Sequence, residues 1–331
     1  MAYKKDLANE KMKLVLGTME WGRNGLNQKL AESILDEFIS SGNVELDSAF
    51  MYTEGKSETM IGKANRGNII FVATKANPWN SLGLQPCSVR AQLNTSLGRL
   101  GRPFVEIFYL HAPDIKTAIE DTLQAVYGLH QEGKFKEFGL SNFPAWQVMQ
   151  IYSVCKSNGW VLPTVYQGMY NAITRDIEYE LLPCLRALNI RFYAYNPLAG
   201  GILTGRYKYS DKHARPIGRF FSGGCSEIYR KRFWRPEIFA ALENIQIALD
   251  ETYKNSDHGI VSSGHASLRW LEHHSKLSAQ YGDTIILGAS KLAHVVDNIA
   301  GTRGGPLAEC IVRAFDEAWL IVKPTCVPYF R

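Results

Sequence analysis

The chain of 331 residues lacks several features that would direct its reading elsewhere. It has no C-x-x-C pair. Its six cysteines, Cys87, Cys155, Cys184, Cys225, Cys310 and Cys326, stand far apart, which in a chain of this size favours free thiols over a disulfide frame and gives metal binding no support. No window reaches roughly 18 uninterrupted apolar residues, and the opening MAYKKDLANEKMK has no apolar segment behind its charges. The expectation is a soluble, cytoplasmic protein with no membrane span. Zinc-finger, helix-turn-helix and RNP signatures are missing, so nucleic acid is not expected as a partner. H-E-x-x-H is missing too, and His265, His273 and His274 read as helix surface. Asn94-Thr95-Ser96 matches a glycosylation sequon, but with no secretion signal it reads as a polar turn of a helix.

What is present is a hydrophobic fraction of 46%, enough for a large core, and a net charge of only +5 that is unevenly spread. Between Arg206 and Arg235 the Lys and Arg residues at 206, 208, 212, 215, 219, 230, 231, 232 and 235 face only Asp211 and Glu227. Such a local excess suggests an anionic ligand.

Eight short β-branched or aromatic runs recur along the chain: Lys13 to Gly17, Val44 to Ser48, Ile69 to Thr74, Val105 to Leu110, Glu137 to Leu140, Thr164 to Gln167, Arg191 to Ala194 and Thr284 to Leu287. Between them, Gln28 to Ser41, Ser88 to Leu100, Ala118 to Gln131, Ala145 to Ser157, Ile177 to Leu188, Glu237 to Thr252 and Ser262 to His274 show apolar spacings of three and four. Repeated β-then-α units without a break in composition predict one α/β domain, a (β/α)8 TIM barrel over residues 1–331. An open doubly wound sheet is the alternative, but no G-x-G-x-x-G follows any strand candidate. One connection is long, about 197–234, and rich in glycine, as functional lids are.

Barrel enzymes carry their chemistry at the carboxyl ends of the strands. Three predicted strands, VELDSA, IIFVATK and VEIFYLH, end on or near Asp47, Lys75 and His111, and Tyr52 follows the first by five residues. A phenol titrates near ~10, so it exchanges a proton at neutral pH only if a positive charge favours the phenolate. Lys75 supplies that charge in this reading, Asp47 keeps the ammonium charged, and His111 orients a carbonyl.

At these residues the sequence resembles the aldo-keto reductase superfamily, whose tetrad is Asp, Tyr, Lys and His in this order. LDSAFMYTEGKSE, FYLHAPD, HQEGKFKEFGLSN, LPTVYQGMYNAITR, FYAYNPLAGGILTGRYKY, YRKRFW and the terminal PYFR resemble its aflatoxin aldehyde reductase and succinic semialdehyde reductase family. The likeness runs from about Lys13 to Arg331. It implies Asp47, Tyr52, Lys75 and His111 as catalytic residues, NADPH as cofactor and an aldehyde as substrate. Cofactor contacts implied by the resemblance are Ser141, Asn142 and Gln167 for the nicotinamide carboxamide and Tyr195 beneath the ring. Asn196, Pro197, Leu198, Gly200, Gly201, Leu203, Gly205 and Arg206 would line the pyrophosphate loop, and Gly288, Ser290, Lys291 and Asn298 the adenosine end. Many relatives carry an arginine late in that last segment, where this chain has His294.

Met19, Trp21, Trp79 and the tail Tyr329 to Arg331 are expected to wall the substrate pocket, with Arg230 and Arg232 reaching in from the lid and Arg331 suited to a carboxylate. The lid about 197–234 would clamp the cofactor and the tail about 323–331 would shape the pocket. No metal is expected. The resemblance also suggests a homodimer. The alternative function is a cofactor-binding regulatory subunit resembling the β subunits of potassium channels.

Overall fold

The computed structural model describes residues 11–214, 218–222, 225–254 and 260–331. Eight parallel strands close on themselves in chain order. They are β1 (Lys13–Gly17), β2 (Glu45–Asp47), β3 (Phe71–Ala76), β4 (Val105–Leu110), β5 (Phe135–Ser141), β6 (Pro163–Met169), β7 (Arg191–Tyr195) and β8 (Thr284–Gly288). Closure removes the doubly wound alternative and confirms the (β/α)8 barrel.

Around the strands run α1 (Gln28–Ser40), α2 (Lys56–Ala64), α3 (Pro86–Leu100), α4 (Ile119–Gln131), α5 (Ala145–Ser157) and α6 (Leu181–Ala187). After β7 come α7 (Asp211–Ala214), α8 (Ser226–Phe233), α9 (Pro236–Tyr253) and α10 (Ser263–His273), and after β8 α11 (Leu292–Arg303) and α12 (Glu309–Val322). Local chemistry sets the ends. Asn27 caps α1 by accepting from the Leu30 amide, and Gly101 ends α3 at φ +63°, where a side chain would be strained. Apolar spacing sets the faces: α1 buries Ala31, Ile34, Leu35 and Phe38, and α12 buries Ile311, Ala314, Phe315, Ala318, Trp319 and Val322.

Two apolar layers result. One lies between strands and helices, and the other fills the barrel itself with Val15, Ala73, Ile107, Tyr109, Val165, Tyr193 and Ile286. Tyr109 needs Gly139 of β5 beside it, since a Cβ there would meet its ring at 2.3 Å. The predicted strand at Ile69 starts two residues late, because Gly67–Ile69 makes a 3-10 turn that carries Ile69 to the surface. Helices α2, α7, α8, α11 and α12 were not anticipated.

The β7–β8 seam is short, with two paired positions where β1–β8 has five. Asp283, ahead of β8 and buried, strengthens it. Its carboxylate accepts from the Phe192 and Ser278 amides, each at 2.9 Å, and is forked by Arg186. Asp283→Ala is expected to cost about 3–5 kcal/mol, because it leaves Arg186 and two amides unpaired. Urea unfolding measures this, and a loss under about 1 kcal/mol would show that the clamp does not hold the seam.

Candidate active site

Lys75 is fully buried at the carboxyl end of β3, and Asp47 at the end of β2 is nearly so. The ammonium donates to both Asp47 oxygens, at 2.6 and 2.7 Å, and to the Ser48 carbonyl at 2.7 Å. Burial still lowers the lysine's proton affinity below its ordinary value, and Asp47, followed by Glu58, offsets only part of that. Gln167, from β6, donates to Asp47 Oδ1 at 2.8 Å and fixes the carboxylate from across the barrel. Behind this pair lies a second buried acid, Glu58 of α2, which accepts from Thr74 Oγ at 2.6 Å and pairs with Arg99 at 3.0 Å. Within YTEGKSE nothing local marks Glu58, since only the fold brings Thr74 and Arg99 to it.

Tyr52 begins a short turn after β2, with its ring centroid 5.1 Å from Lys75 Nζ and 5.8 Å from the His111 ring. The lowered phenol expected from the sequence is not what the structure gives. Burial first, and then the Asp47 charge, hold the Tyr52 phenol well above its usual value, with Arg331 pulling the other way. Tyr52 is thus a protonated acid at rest. His111 is neutral, since burial, Lys75 and Arg331 all push its proton affinity well down. Its Nδ1 is buried without a protein partner among the described residues.

Ser141, Asn142 and Gln167 are all buried at the ends of β5 and β6. Asn142, at φ +63°, donates to the His111 carbonyl at 2.8 Å and to Ser141 Oγ at 3.0 Å, and accepts from the Tyr195 hydroxyl at 2.8 Å. Together with the bond from Gln167 to Asp47, these contacts knit the floor of the site, a role the sequence did not reveal. Beyond Tyr195, the backbone takes positive φ at Asn196, Ala199, Gly200, Gly201 and Gly205. A Cβ on Gly200 would meet the Tyr229 ring at 2.7 Å. Pro197 and Leu203 pack inward, as does Leu198 in part. The result is a shallow backbone cradle of the kind that admits phosphate oxygens. At its far end Arg206 and Lys291 approach His294, which packs against Ser290 at 3.4 Å; burial first, and then those two cations, lower its proton affinity. Asn298 donates to the Gly288 carbonyl at 3.3 Å. Arg206 and Lys291 thus stand next to the cradle, with Asp297 as an acid acting on the same histidine.

The lid is less loose than its glycines suggested. Phe220 is fully buried among Tyr207, Tyr229 and Trp234. Arg219 pairs with Glu20 after β1 at 2.8 Å and donates to the Tyr229 hydroxyl, which in turn donates to Asn196. This latch, tying the loop after β1 to the loop after β7, was not foreseen. Arg215, Gly223 and Gly224 of the predicted lid lie outside the described residues.

The expected substrate residues divide. Trp79 stands 5.1 Å from the His111 ring, and Arg331 lies 5.7 Å from the Trp79 ring, so both flank the tetrad. Met19 is half-buried against the core. Trp21 is fully buried, so it belongs to the core rather than to an open wall. Tyr329 is the anchor of the tail: its hydroxyl bonds Glu180 at 2.9 Å and the Ala145 amide at 3.0 Å, while the Arg331 amide donates to the Asn142 carbonyl at 3.1 Å. Arg232 feels the charge of Arg331 and lies near Tyr195. Arg230 instead donates to the Phe220 carbonyl and lines, with Lys212 and His213, a 540 Å³ pocket that includes no tetrad residue. No group of three metal-ligating side chains occurs among the described residues, and His265 pairs with Asp297 at 2.9 Å. None of the described helices is long and apolar enough to cross a membrane.

Polar groups gathered at the carboxyl-terminal mouth of a parallel barrel mark an enzyme. A protonated phenol, a neutral imidazole and a buried ammonium around one space can hold a carbonyl oxygen and give it a proton, and the likeness to known proteins makes the chain an oxidoreductase. The chain belongs to the aldo/keto reductase family, whose sequence profile matches residues 13–319. It is 51% identical over 323 residues to aflatoxin B1 aldehyde reductase member 2 of Mus musculus, spanning 96% of this chain and 87% of that one. It is 47% identical to aflatoxin B1 aldehyde reductase member 4 of Homo sapiens over 98% of this chain and 99% of that one. Aldo-keto reductase family 7 member A3 of Homo sapiens is also 47% identical, over 99% of each chain. A nicotinamide cofactor goes with membership of this family.

Removing the Lys75 counter-charge tests the floor of the site. Asp47→Asn is expected to destabilise the protein by about 3–5 kcal/mol, and Asp47→Asn combined with Lys75→Met to recover a substantial part. Chemical unfolding of these two variants and of Lys75→Met alone measures the coupling. Simple additivity would show that the two side chains do not act as a pair.

Proposed function

We propose that the chain reduces aldehydes to alcohols with NADPH, Tyr52 giving the proton. The observation that carries this is the buried Lys75–Asp47 pair beneath a protonated phenol and beside a neutral histidine. Bound NADPH supplies a hydride to the carbonyl carbon. The residues do the rest. His111, uncharged, holds the carbonyl oxygen by a hydrogen bond, and Tyr52 passes it a proton as negative charge develops there. Lys75, 5.1 Å from the ring centroid, stabilises the phenolate at the moment it forms. Its charge therefore acts mainly on the transition state, which is where stabilisation raises turnover.

Ser141, Asn142, Gln167 and Tyr195 are proposed to meet the nicotinamide, the 196–206 cradle the pyrophosphate, and Arg206 with Ser290, Lys291, His294 and Asn298 the adenosine 2′-phosphate. The latch from Glu20 to Arg219 would hold the lid over them. Arg232 and Arg331, mutually repelling at one side of the mouth, favour carboxylated aldehydes such as succinic semialdehyde or α-keto aldehydes of uronic acid origin, with neutral dialdehydes as the dicarbonyl alternative.

Tyr52→Phe should bind NADPH normally, by fluorescence titration, while turnover falls roughly 10²–10⁴-fold. Near-normal turnover would refute the proton assignment. Arg331→Ala should lower kcat/KM roughly 10-fold for carboxylated aldehydes and little for neutral ones of similar size. An equal loss on both would remove the carboxylate reading, and tight NADPH binding by the wild type without turnover on any aldehyde would favour a regulatory subunit instead.

A further inference from the structure

Beneath the Asp47–Lys75 pair the barrel holds ionisable groups for which the reduction chemistry has no use. Glu45 and Asp47 are alternate residues of β2, so their side chains leave the same face of the strand and enter the barrel roughly 7 Å apart along it. Asp47 is fully engaged, but Glu45 is not. Its Oε1 is buried without a hydrogen-bond partner among the described residues, and its Oε2 accepts only a 3.3 Å bond from the Tyr193 hydroxyl. Tyr109, between Glu45 and the pair, is fully buried with its own hydroxyl unpartnered and its ring centroid 5.5 Å from Lys75 Nζ. Such unsatisfied polar atoms are costly inside an apolar filling, so their presence calls for a role.

The groups that face Glu45 are few. β1 contributes Lys13, β2 Asp47, β4 Tyr109, and β7 Tyr193 with Arg191. β3 adds Ala73 and, one pleat higher, the Lys75 ammonium that is already paired with Asp47, and β8 adds Ile286 and Thr284. Arg191 is committed to Glu137 at 2.7 Å, and Lys13 is exposed, so no cation closely answers a Glu45 carboxylate. Burial is the largest influence and raises its proton affinity, Asp47 raises it further, and Tyr193, Arg191 and Lys13 oppose. The balance brings Glu45 to about 7.

The geometry points to Glu45 as a positioning residue for the tetrad: a carboxyl in the barrel floor whose gain or loss of a proton sets, by its charge, how readily Tyr52 gives up its own. The inference rests on the reading of Tyr52 as proton donor. Uncharged, Glu45 adds nothing to the field of Asp47. Ionised, it sets a second negative charge in the half-buried floor of the barrel, opposes phenolate formation and weakens the acid. Reduction should therefore slow as pH rises through about 7. The effect should fall on kcat and leave KM for NADPH little changed.

Two measurements test this. In Glu45→Gln, the fall of kcat should move up from about 7 to the alkaline range in which Tyr52 itself loses its proton. Tyr193→Phe removes a bond that favours the ionised form of Glu45, so it should move the fall upward by less. The second measurement needs no turnover. A folded-state affinity raised from about 4.5 to about 7 means that the stability linked to protonated Glu45 is complete below the lower value and lost as pH rises through the upper. Across that window the wild-type Tm should fall relative to that of Glu45→Gln. Superimposable kcat profiles in a Glu45→Gln variant that binds NADPH, together with a constant Tm difference, would reduce Glu45 to a filler. If Glu45→Gln does not fold, an unshifted profile in Tyr193→Phe overturns the proposal as well. A fully active Tyr52→Phe would remove the donor assignment while the Tm comparison still judges Glu45 itself.

Discussion

Everything at the mouth of this barrel depends on keeping one ammonium charged where water cannot reach it. Lys75 can be buried only because Asp47 and the Ser48 carbonyl meet it on three sides, and Asp47 can hold that position only because Gln167 fixes it from the opposite wall. Taking such ions out of water costs several kcal/mol each, which a single contact does not offset. Parallel strands meet this need well. Adjacent strands bring β2 and β3 side by side, with Asp47 paired to Ala73 two residues before Lys75, and closure brings β6 across to complete the set.

From this one cost the character of the other groups follows. Burial in the same dry mouth first, and then the Lys75 charge, drive His111 to its neutral form, while burial first, and then the Asp47 charge, keep Tyr52 protonated. Each is thereby left in the state from which it can act, one as an uncharged hydrogen-bonding group and the other as an acid. The same low dielectric that makes the ion pair costly makes its field felt at a developing phenolate.

Much of this could be read from the chain. The strands ending at Asp47, Lys75 and His111 carry apolar runs that must be buried on both faces, and a charge placed directly after such a run has nowhere to go but the mouth. Helices α1, α3 and α4 announce themselves by spacing. Helix α12 has a clear apolar face that its spacing carries, whereas the face of α11 is less distinct and overlaps the segment from Gly288 to Asn298 that resembles a cofactor site. Similarly, α2 opens at Gly55 without a side-chain cap and was absorbed into the tetrad motif. Long-range pairings were not legible at all: nothing local tells that Arg219 reaches Glu20, that Arg206 approaches His294, or that Asn142 serves His111 and Tyr195 at once. A buried amide has several partners within reach, and only the closed fold chooses among them.

The division between strand ends and connecting segments also separates chemistry from selection. The tetrad sits on strand ends or is knitted to them, whereas the groups that would meet a substrate come from two segments pinned at few points, the lid through Arg219 and the tail through Tyr329 and the Arg331 amide. Arg232 on the first and Arg331 on the second repel one another. An anion between them would turn that repulsion into a bridge and draw lid and tail together over the site, so binding energy from a remote carboxylate could be realised as closure around the reacting carbonyl. A neutral aldehyde offers no such gain. On this argument specificity resides less in the fit of a preformed pocket than in the charge required to bring its two halves together.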